Sequence, residues 1–488
     1  MSKSTHEGSF RSALAYSFIT KYLNIGLQLI STIVLVRLIT PEEYGLYTIA
    51  FIFMVTASII KEFGVNNYLI KEEKLTQEII QSAYGTLLII SFISGSALFF
   101  SASLIADFYQ QPELINILQL LSLNIFLAPF GSIIDCLLKR ELNFKPALIT
   151  GTSSQFISVL AMIYMAYCDF GVYTLVYGSL IQAVVQALLL QFYRPANMPL
   201  MPKLSQSRKI LSYSKFVGVY GIVGHFGTYI VELLSGKFFT LELTGQFNRA
   251  SSTASLFNKL FTEALNPVIS PYASKLKRSG EGLMQRMRVI IILTLSCAWP
   301  FYAVLGLCAE PVVLILFGEK WMTSSYFLQI FCTARILSSS VQTLEPILMG
   351  LGMAKALMKI VLIINVLRIF ISILLLQYGL MVMIICTSLT LPLLRMSLFI
   401  FVLHRKNLVE WHTYLSWLKP PAVLLIASAA PLCLTKLYLG QNWWQSYIYL
   451  IAAIIFSAIL WLMLLSKQED SAIVIKEVKS KLFNKAKK

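Results

Sequence analysis

Nearly every basic side chain of this 488-residue chain falls between long apolar stretches, on alternate sides of them. About 20 predominantly apolar residues make a helix long enough to cross a bilayer. In lipid only a helix or a closed barrel satisfies its own backbone. Fourteen spans are expected, at 13–36, 45–62, 83–106, 114–138, 148–167, 172–192, 216–236, 243–266, 287–316, 322–350, 356–376, 379–403, 420–439 and 446–466. With the N-terminus in the cytoplasm, the segments on that side hold 30 of the 40 Lys and Arg. With charges near a span end counted to the adjoining segment, the opposite segments hold Arg37, Lys237, Lys320 and Lys436, and six cations lie deeper inside spans. Such an excess on one side orients a multi-pass protein. An odd span count or the inverted orientation would scramble it. The expected fold class is therefore an all-α polytopic membrane protein.

Composition supports this, with 57% hydrophobic and 13% charged residues, about half the charge of a soluble domain. The net charge of +17 follows from topology. A nucleic-acid partner would need a basic face on a soluble module, and the sequence offers none. The seven Cys are scattered without a CxxC or Cys/His spacing, so no metal and no cofactor is expected. The N-terminus lacks a short apolar region followed by a small-residue cleavage site, so the first span reads as uncleaved. The tail 467–488 mixes seven Lys with apolar residues. It reads either as an amphipathic helix on an anionic leaflet or as a disordered basic tail.

An offset of 200 aligns Arg37-Leu-Ile-Thr-Pro-Glu-Glu-Tyr-Gly-Leu-Tyr-Thr-Ile-Ala50 with Lys237-Phe-Phe-Thr-Leu-Glu-Leu-Thr-Gly-Gln-Phe-Asn-Arg-Ala250. Thr, Glu, Gly and Ala coincide. An offset of 210 aligns Leu118-Gln119 with Leu328-Gln329, Asp135 with Glu345, and Lys145 with Lys355. This implies two parallel six-helix bundles, at 1–200 and 201–405, with a site between them. Two extra helices at 406–466 and the tail at 467–488 complete the expected organisation.

Charge inside a span is costly and marks a functional-site candidate. At 100° per residue, Ser17, Lys21, Asn24, Gln28 and Ser31 share an arc of about 80°. Arg249, Lys259 and Glu263 share about 80°, and Arg335, Ser338, Ser339, Gln342 and Glu345 about 120°. His225, Thr228 and Glu232 lie on one side of their span, as do Asn365, Arg368 and Ser372. Such stripes are expected to surround a hydrated cavity. Its cations would be Lys21, Arg249, Lys259, Arg335 and Arg368, a balance suited to an anionic substrate such as a diphosphate or an acidic sugar. The alternative is ion pairing between helices, and Lys259 with Glu263 is a ready pair. Arg395 can instead snorkel to the cytoplasm. Asp135, Glu232, Glu263 and Glu345 are the carboxylates through which H+ or Na+ would be coupled. A neighbouring Arg would equally neutralise them.

The segment Arg37-Leu-Ile-Thr-Pro-Glu-Glu-Tyr-Gly-Leu-Tyr47 resembles the end of the first span in Wzx-type polysaccharide flippases. These belong to the multidrug/oligosaccharidyl-lipid/polysaccharide (MOP) superfamily. Gly245-Gln-Phe-Asn-Arg-Ala250, Asn266-Pro-Val-Ile-Ser-Pro271, Glu310-Pro-Val-Val-Leu-Ile-Leu-Phe-Gly-Glu-Lys-Trp321 and Gly350-Leu-Gly-Met-Ala-Lys355 are similar to further family signatures. The resemblance covers roughly residues 10–440 and is closest to the colanic-acid-exporter-like branch. It implies two six-helix bundles in a V plus two extra helices. It also implies transfer of undecaprenyl-diphosphate-linked repeat units from the cytoplasmic to the periplasmic leaflet of the inner membrane. A polysaccharide polymerase and export machinery would be the partners. The family has no fixed catalytic motif, and only Arg249 is carried over from it. A cation-coupled multidrug exporter and a peptidoglycan-precursor flippase are the alternatives on the same fold. An enzyme is disfavoured, because no nucleotide-binding loop and no HExxH occurs.

Overall fold

The repeated Thr-x-Glu-x-x-Gly stretch is a helix start. Thr40 caps the helix Pro41–Lys71 in a capping box: its hydroxyl accepts from the Glu43 amide, and the Glu43 carboxylate accepts from the Thr40 amide at 2.8 Å. Pro41 occupies the first turn, where its missing N–H costs nothing. In the second copy the Leu243 amide donates to the Thr240 hydroxyl at 3.1 Å, but Leu replaces the Glu, so only half the box remains.

The computed structural model describes residues 2–72, 74–195, 201–279, 283–440 and 443–468. The expected basic tail beyond 468 lies outside them. Among the described residues every regular element is helical. The helices are α1 (Ser2–Leu38), α2 (Pro41–Lys71), α3 (Gln77–Tyr109), α4 (Glu113–Leu127), α5 (Pro129–Arg140), α6 (Lys145–Tyr167), α7 (Tyr173–Gln191), α8 (Ser207–Phe238) and α9 (Leu241–Ala254). They continue with α10 (Glu263–Ser279), α11 (Leu283–Leu307), α12 (Ala309–Phe317), α13 (Thr323–Gly350), α14 (Ala354–Leu374), α15 (Leu380–Arg405), α16 (Trp411–Trp417), α17 (Lys419–Leu439) and α18 (Tyr447–Lys467).

Each of the fourteen expected spans falls on helix, with three breaks inside them. The fourth span bends by 43° between α4 and α5, where Pro129 cannot donate to the preceding turn. The eighth is interrupted by a π-helical turn, Asn258–Thr262, between α9 and α10. The ninth divides into α11 and α12 at Cys308. Among the described residues, nine helical stretches are long and apolar enough to cross a membrane, or ten if the bent α4–α5 pair counts as one. The chain is a multi-pass membrane protein. The helices α2, α8 and α13 are also long enough to span, at 31, 32 and 28 residues.

The chain divides into two compact units, residues 1–248 and 249–488. In the first, Ile49 and Ile52 of α2 pack with Leu98 of α3 and with Leu114, Ile117, Leu121 and Ile125 of α4. The helix α8 belongs to this unit: the Tyr109 hydroxyl donates to the Leu233 carbonyl at 3.2 Å, and Gly236 is seated on Ile49. Gly45 and Gly245, equivalent in the repeat, cross each other. A Cβ on Gly45 would meet the Leu241 carbonyl oxygen at 1.9 Å, and one on Gly245 would meet the Pro41 carbonyl oxygen at 2.0 Å. The contact is reciprocal.

In the second unit, Ile291 and Leu295 of α11, Leu344 and Ile347 of α13, Ile360 and Ile364 of α14, and Phe399 and Leu403 of α15 share one core with Tyr414 and Trp417 of α16. The extra helices are fastened to it. The Trp461 indole donates to the Ser296 carbonyl at 2.8 Å, and the Gln468 amide donates to the Pro420 carbonyl at 3.2 Å.

Candidate functional site

The polar stripes expected to face a common cavity make, in large part, bonds between helices of one unit. In the first unit, Asn24 of α1 faces α6. Its side-chain oxygen accepts from Thr152 at 3.2 Å, and its backbone carbonyl accepts from the Gln155 amide at 3.0 Å. Lys21 is half-buried and Gln28 exposed on the same helix. His225 of α8 reaches Thr56 of α2, with Nδ1 3.0 Å from Oγ1. The Thr56 hydroxyl proton is directed at the Ile52 carbonyl, 2.7 Å away. The imidazole and the hydroxyl thus join α8 to α2 by one hydrogen bond. The Tyr229 ring packs on the imidazole at 4.6 Å, and Glu232, on the same side of α8, is only 4% exposed. Asp135 pairs with Lys139 one turn along α5 at 2.6 Å.

In the second unit, Arg249 is 5% exposed. Its guanidinium sits 6.0 Å from the Phe317 ring and 6.0 Å from the fully buried Trp321 ring. Two stretches that carry the family resemblance, Gln-Phe-Asn-Arg-Ala and Leu-Phe-Gly-Glu-Lys-Trp, thus meet. Desolvated cation–π contacts of this kind contribute up to about 2 kcal/mol, so Arg249 stabilises the α9–α12 corner as packed here. Lys259 lies in the π-helical turn, half-buried, and Glu263 is exposed at the start of α10. The arc of 80° assigned to Arg249, Lys259 and Glu263 assumed an unbroken α-helix. A π turn inserts a residue and rephases what lies beyond it, yet Lys259 stays within electrostatic reach of both Glu263 and Arg249.

Glu345 of α13 pairs with Arg395 of α15, both half-buried. Arg395 therefore serves an ion pair rather than snorkelling. Ser339 accepts from the Trp299 indole of α11 at 3.0 Å, and Asn365 returns its amide to the Val361 carbonyl of its own helix at 2.9 Å. Arg368 is half-buried on α14. Arg335, also half-buried, has no hydrogen bond or ion pair for its guanidinium among the described residues. Of the expected cavity cations, it keeps the most capacity to hold an anion.

Sequence reasoning passed over two features. One is Thr56, the partner of His225, which no charge marks. The other is a cleft of about 470 Å³ in the first unit, lined by Phe99, Asn116, Gln119, Leu120, Leu123, Tyr173 and Tyr177. Its signal was present: Asn116 and Gln119 are i,i+3 neighbours on an otherwise apolar helix.

The pattern of the family described as "Polysaccharide biosynthesis protein" matches residues 34–326. The chain is 25% identical over 369 residues to the lipopolysaccharide biosynthesis protein WzxC of Escherichia coli strain K12, covering 74% of this chain and 73% of that one. It is 24% identical over 348 residues to the succinoglycan biosynthesis transport protein ExoT of Rhizobium meliloti strain 1021, covering 70% of each. Among solved structures, the lipid II flippase MurJ in its inward closed conformation superposes with a TM-score of 0.73 over 96% of this chain and 99% of that one, at 15% identity. An inward-facing multidrug resistance MATE family transporter of the MOP superfamily gives 0.59 over 79% of this chain and 94% of that one. At such identities the structural likeness establishes the helical MOP fold and nothing finer. The match over 34–326 establishes the rest: this chain belongs to the polysaccharide biosynthesis protein family.

Proposed function

We propose that this protein is a flippase. It moves undecaprenyl-diphosphate-linked oligosaccharide repeat units from the cytoplasmic to the periplasmic leaflet of the inner membrane, for surface polysaccharide synthesis. The observation that carries this reading is the family match together with relatives named for lipopolysaccharide and succinoglycan biosynthesis. The charge pattern supports cytoplasmic termini, with 30 of the 40 basic residues on that side. The glycan would cross by alternating access while its lipid tail stays in the bilayer. Arg335, Arg368, Lys259 and Lys21 are the cations we assign to its diphosphate or acidic sugars. Of the four carboxylates, we assign H+ or Na+ coupling to Glu232, buried on α8, and to Glu263 beside Lys259. A polymerase and export machinery would take the product. It is a transporter and not an enzyme.

Deleting the gene in its host should abolish one surface polysaccharide and trap its lipid-linked repeat unit on the cytoplasmic leaflet. Wild type should restore export. An Arg335→Ala/Arg368→Ala variant should lower export by about tenfold or more, since two charge-assisted bonds are lost, with normal membrane abundance. Unchanged polysaccharide in the deletion strain, with lost efflux of lipophilic cations, would establish the drug-exporter reading in its place. The exposed Glu263 and basic balance of α10 give no cation-selective site to favour that reading.

A further inference from the structure

A polar side chain on a membrane helix is costly unless something bonds it. In the first unit the amides of Asn24, Asn66, Asn124, Gln155 and Gln191 all make hydrogen bonds. Among the described residues the amides of Gln28, Gln182 and Gln186 make none; Asn116 and Gln119 are set apart by lining one cleft together with two tyrosines. Among the described residues neither side-chain amide has a hydrogen-bond partner, and neither do the phenols of Tyr173 and Tyr177. All four line the cleft between α3, α4 and α7.

The chemistry of that cleft is narrow. Phe99, Tyr173 and Tyr177 supply aromatic faces, with the two tyrosine rings 6.0 Å apart and inclined by 30°. Leu120 and Leu123 make the floor apolar, and two amides and two phenols supply donors and acceptors. No Lys, Arg, Asp or Glu lines it. A phosphate-bearing headgroup would meet no cation there, and an acyl chain would leave four polar groups unmet. A pyranose ring satisfies both halves: its C–H faces lie on aromatic rings, and its rim of hydroxyls donates to and accepts from amides. The volume falls within the range of roughly 300–1,000 Å³ usual for small-ligand pockets.

The position fits as well. Tyr173 opens α7, and Gln119 lies six residues into α4, about 9 Å at 1.5 Å per residue. The cleft therefore opens near the end of the unit where α3 and α6 finish and α4 and α7 begin, which the proposed topology places on the periplasmic side. We propose that the α3–α4–α7 cleft is a binding subsite for an uncharged sugar ring of the transported glycan, engaged on the releasing side. This rests on the flippase reading above.

The test uses the full chain in liposomes with either of two host-derived substrates: the lipid diphosphate carrying the complete repeat unit, or the same lipid carrying only its first sugar. Translocation is read by exposure of the glycan to membrane-impermeant periodate. Asn116→Ala/Gln119→Ala should slow the complete unit about tenfold, as the loss of two neutral hydrogen bonds implies, and leave the single-sugar lipid at the wild-type rate. Tyr173→Ala/Tyr177→Ala should show the same selectivity. Wild-type rates for the complete unit in both variants, or equal slowing of both substrates, would overturn the subsite. The second outcome would reduce the tyrosines to interfacial anchors. If wild type moves neither substrate, the flippase reading itself falls, a result separable from the other two.

Discussion

The ion pair of Glu345 with Arg395 shows how an intramembrane charge can be structural. Removing one partner leaves the other half-buried and unmatched, while removing both leaves nothing unmatched. With each side chain 27–30% exposed, Arg395→Gln or Glu345→Gln should each cost about 1–3 kcal/mol. The double variant should recover most of that. Thermal melting of the purified protein in detergent checks the cycle, and additive losses would dissolve the coupling. Arg249 follows a related logic, since Phe317 and Trp321 enclose it. The sequence identified all these charges, because a charge in an apolar stretch is conspicuous. It did not distinguish paired from available ones, because pairing depends on which helices become neighbours. The π turn around Lys259 was equally illegible, since no residue type announces an extra residue in a turn.

At the scale of elements, the helices were legible almost throughout, because apolar length and turn residues set their limits locally. The motif at Thr40–Gly45 illustrates why: its capping residues act within four positions. The repeat with offset 200 was also readable, and its physical content is the reciprocal crossing of Gly45 and Gly245. A Cβ at either position would lie about 2 Å from a carbonyl oxygen of the other helix, so the backbones must part to accept it. Gly45→Val and Gly245→Val should each destabilise the protein by roughly 1–3 kcal/mol, the usual cost of overpacking. Cys placed at neighbouring exposed positions should cross-link less readily in either variant. Melting and cross-linking equal to wild type would show that the crossing is not tight. The cleft on α4 was only half legible: Asn116 and Gln119 mark one wall, but another comes from α7, more than fifty residues further on.

For the whole molecule, charge placement makes a topological prediction. Reporter fusions after residues 195 and 468 should give fluorescent protein active in the cytoplasm and inactive alkaline phosphatase. Fusions after residues 110 and 440 should give the reverse. The same sign at 440 and 468 would remove the last span and with it the count of fourteen. The fold and family were reachable from sequence, through periodic hydrophobicity and through motifs such as Glu310–Trp321, and the comparisons bear out both fold and family. The site was less so, because the polar stripes serve helix contact and transport alike.

The Glu345–Arg395 pair also bears on how the chain is made. The helix α13 enters the membrane with its carboxylate, while the arginine that neutralises it is fifty residues away in α15. At about 5–20 residues per second, that is a delay of roughly 3–10 s. During it α13 holds a charge that lipid disfavours, so it is best retained beside the insertion machinery until α15 emerges. The helices α13, α14 and α15 would then leave for the bilayer together, as one unit of biogenesis set by a single late cation.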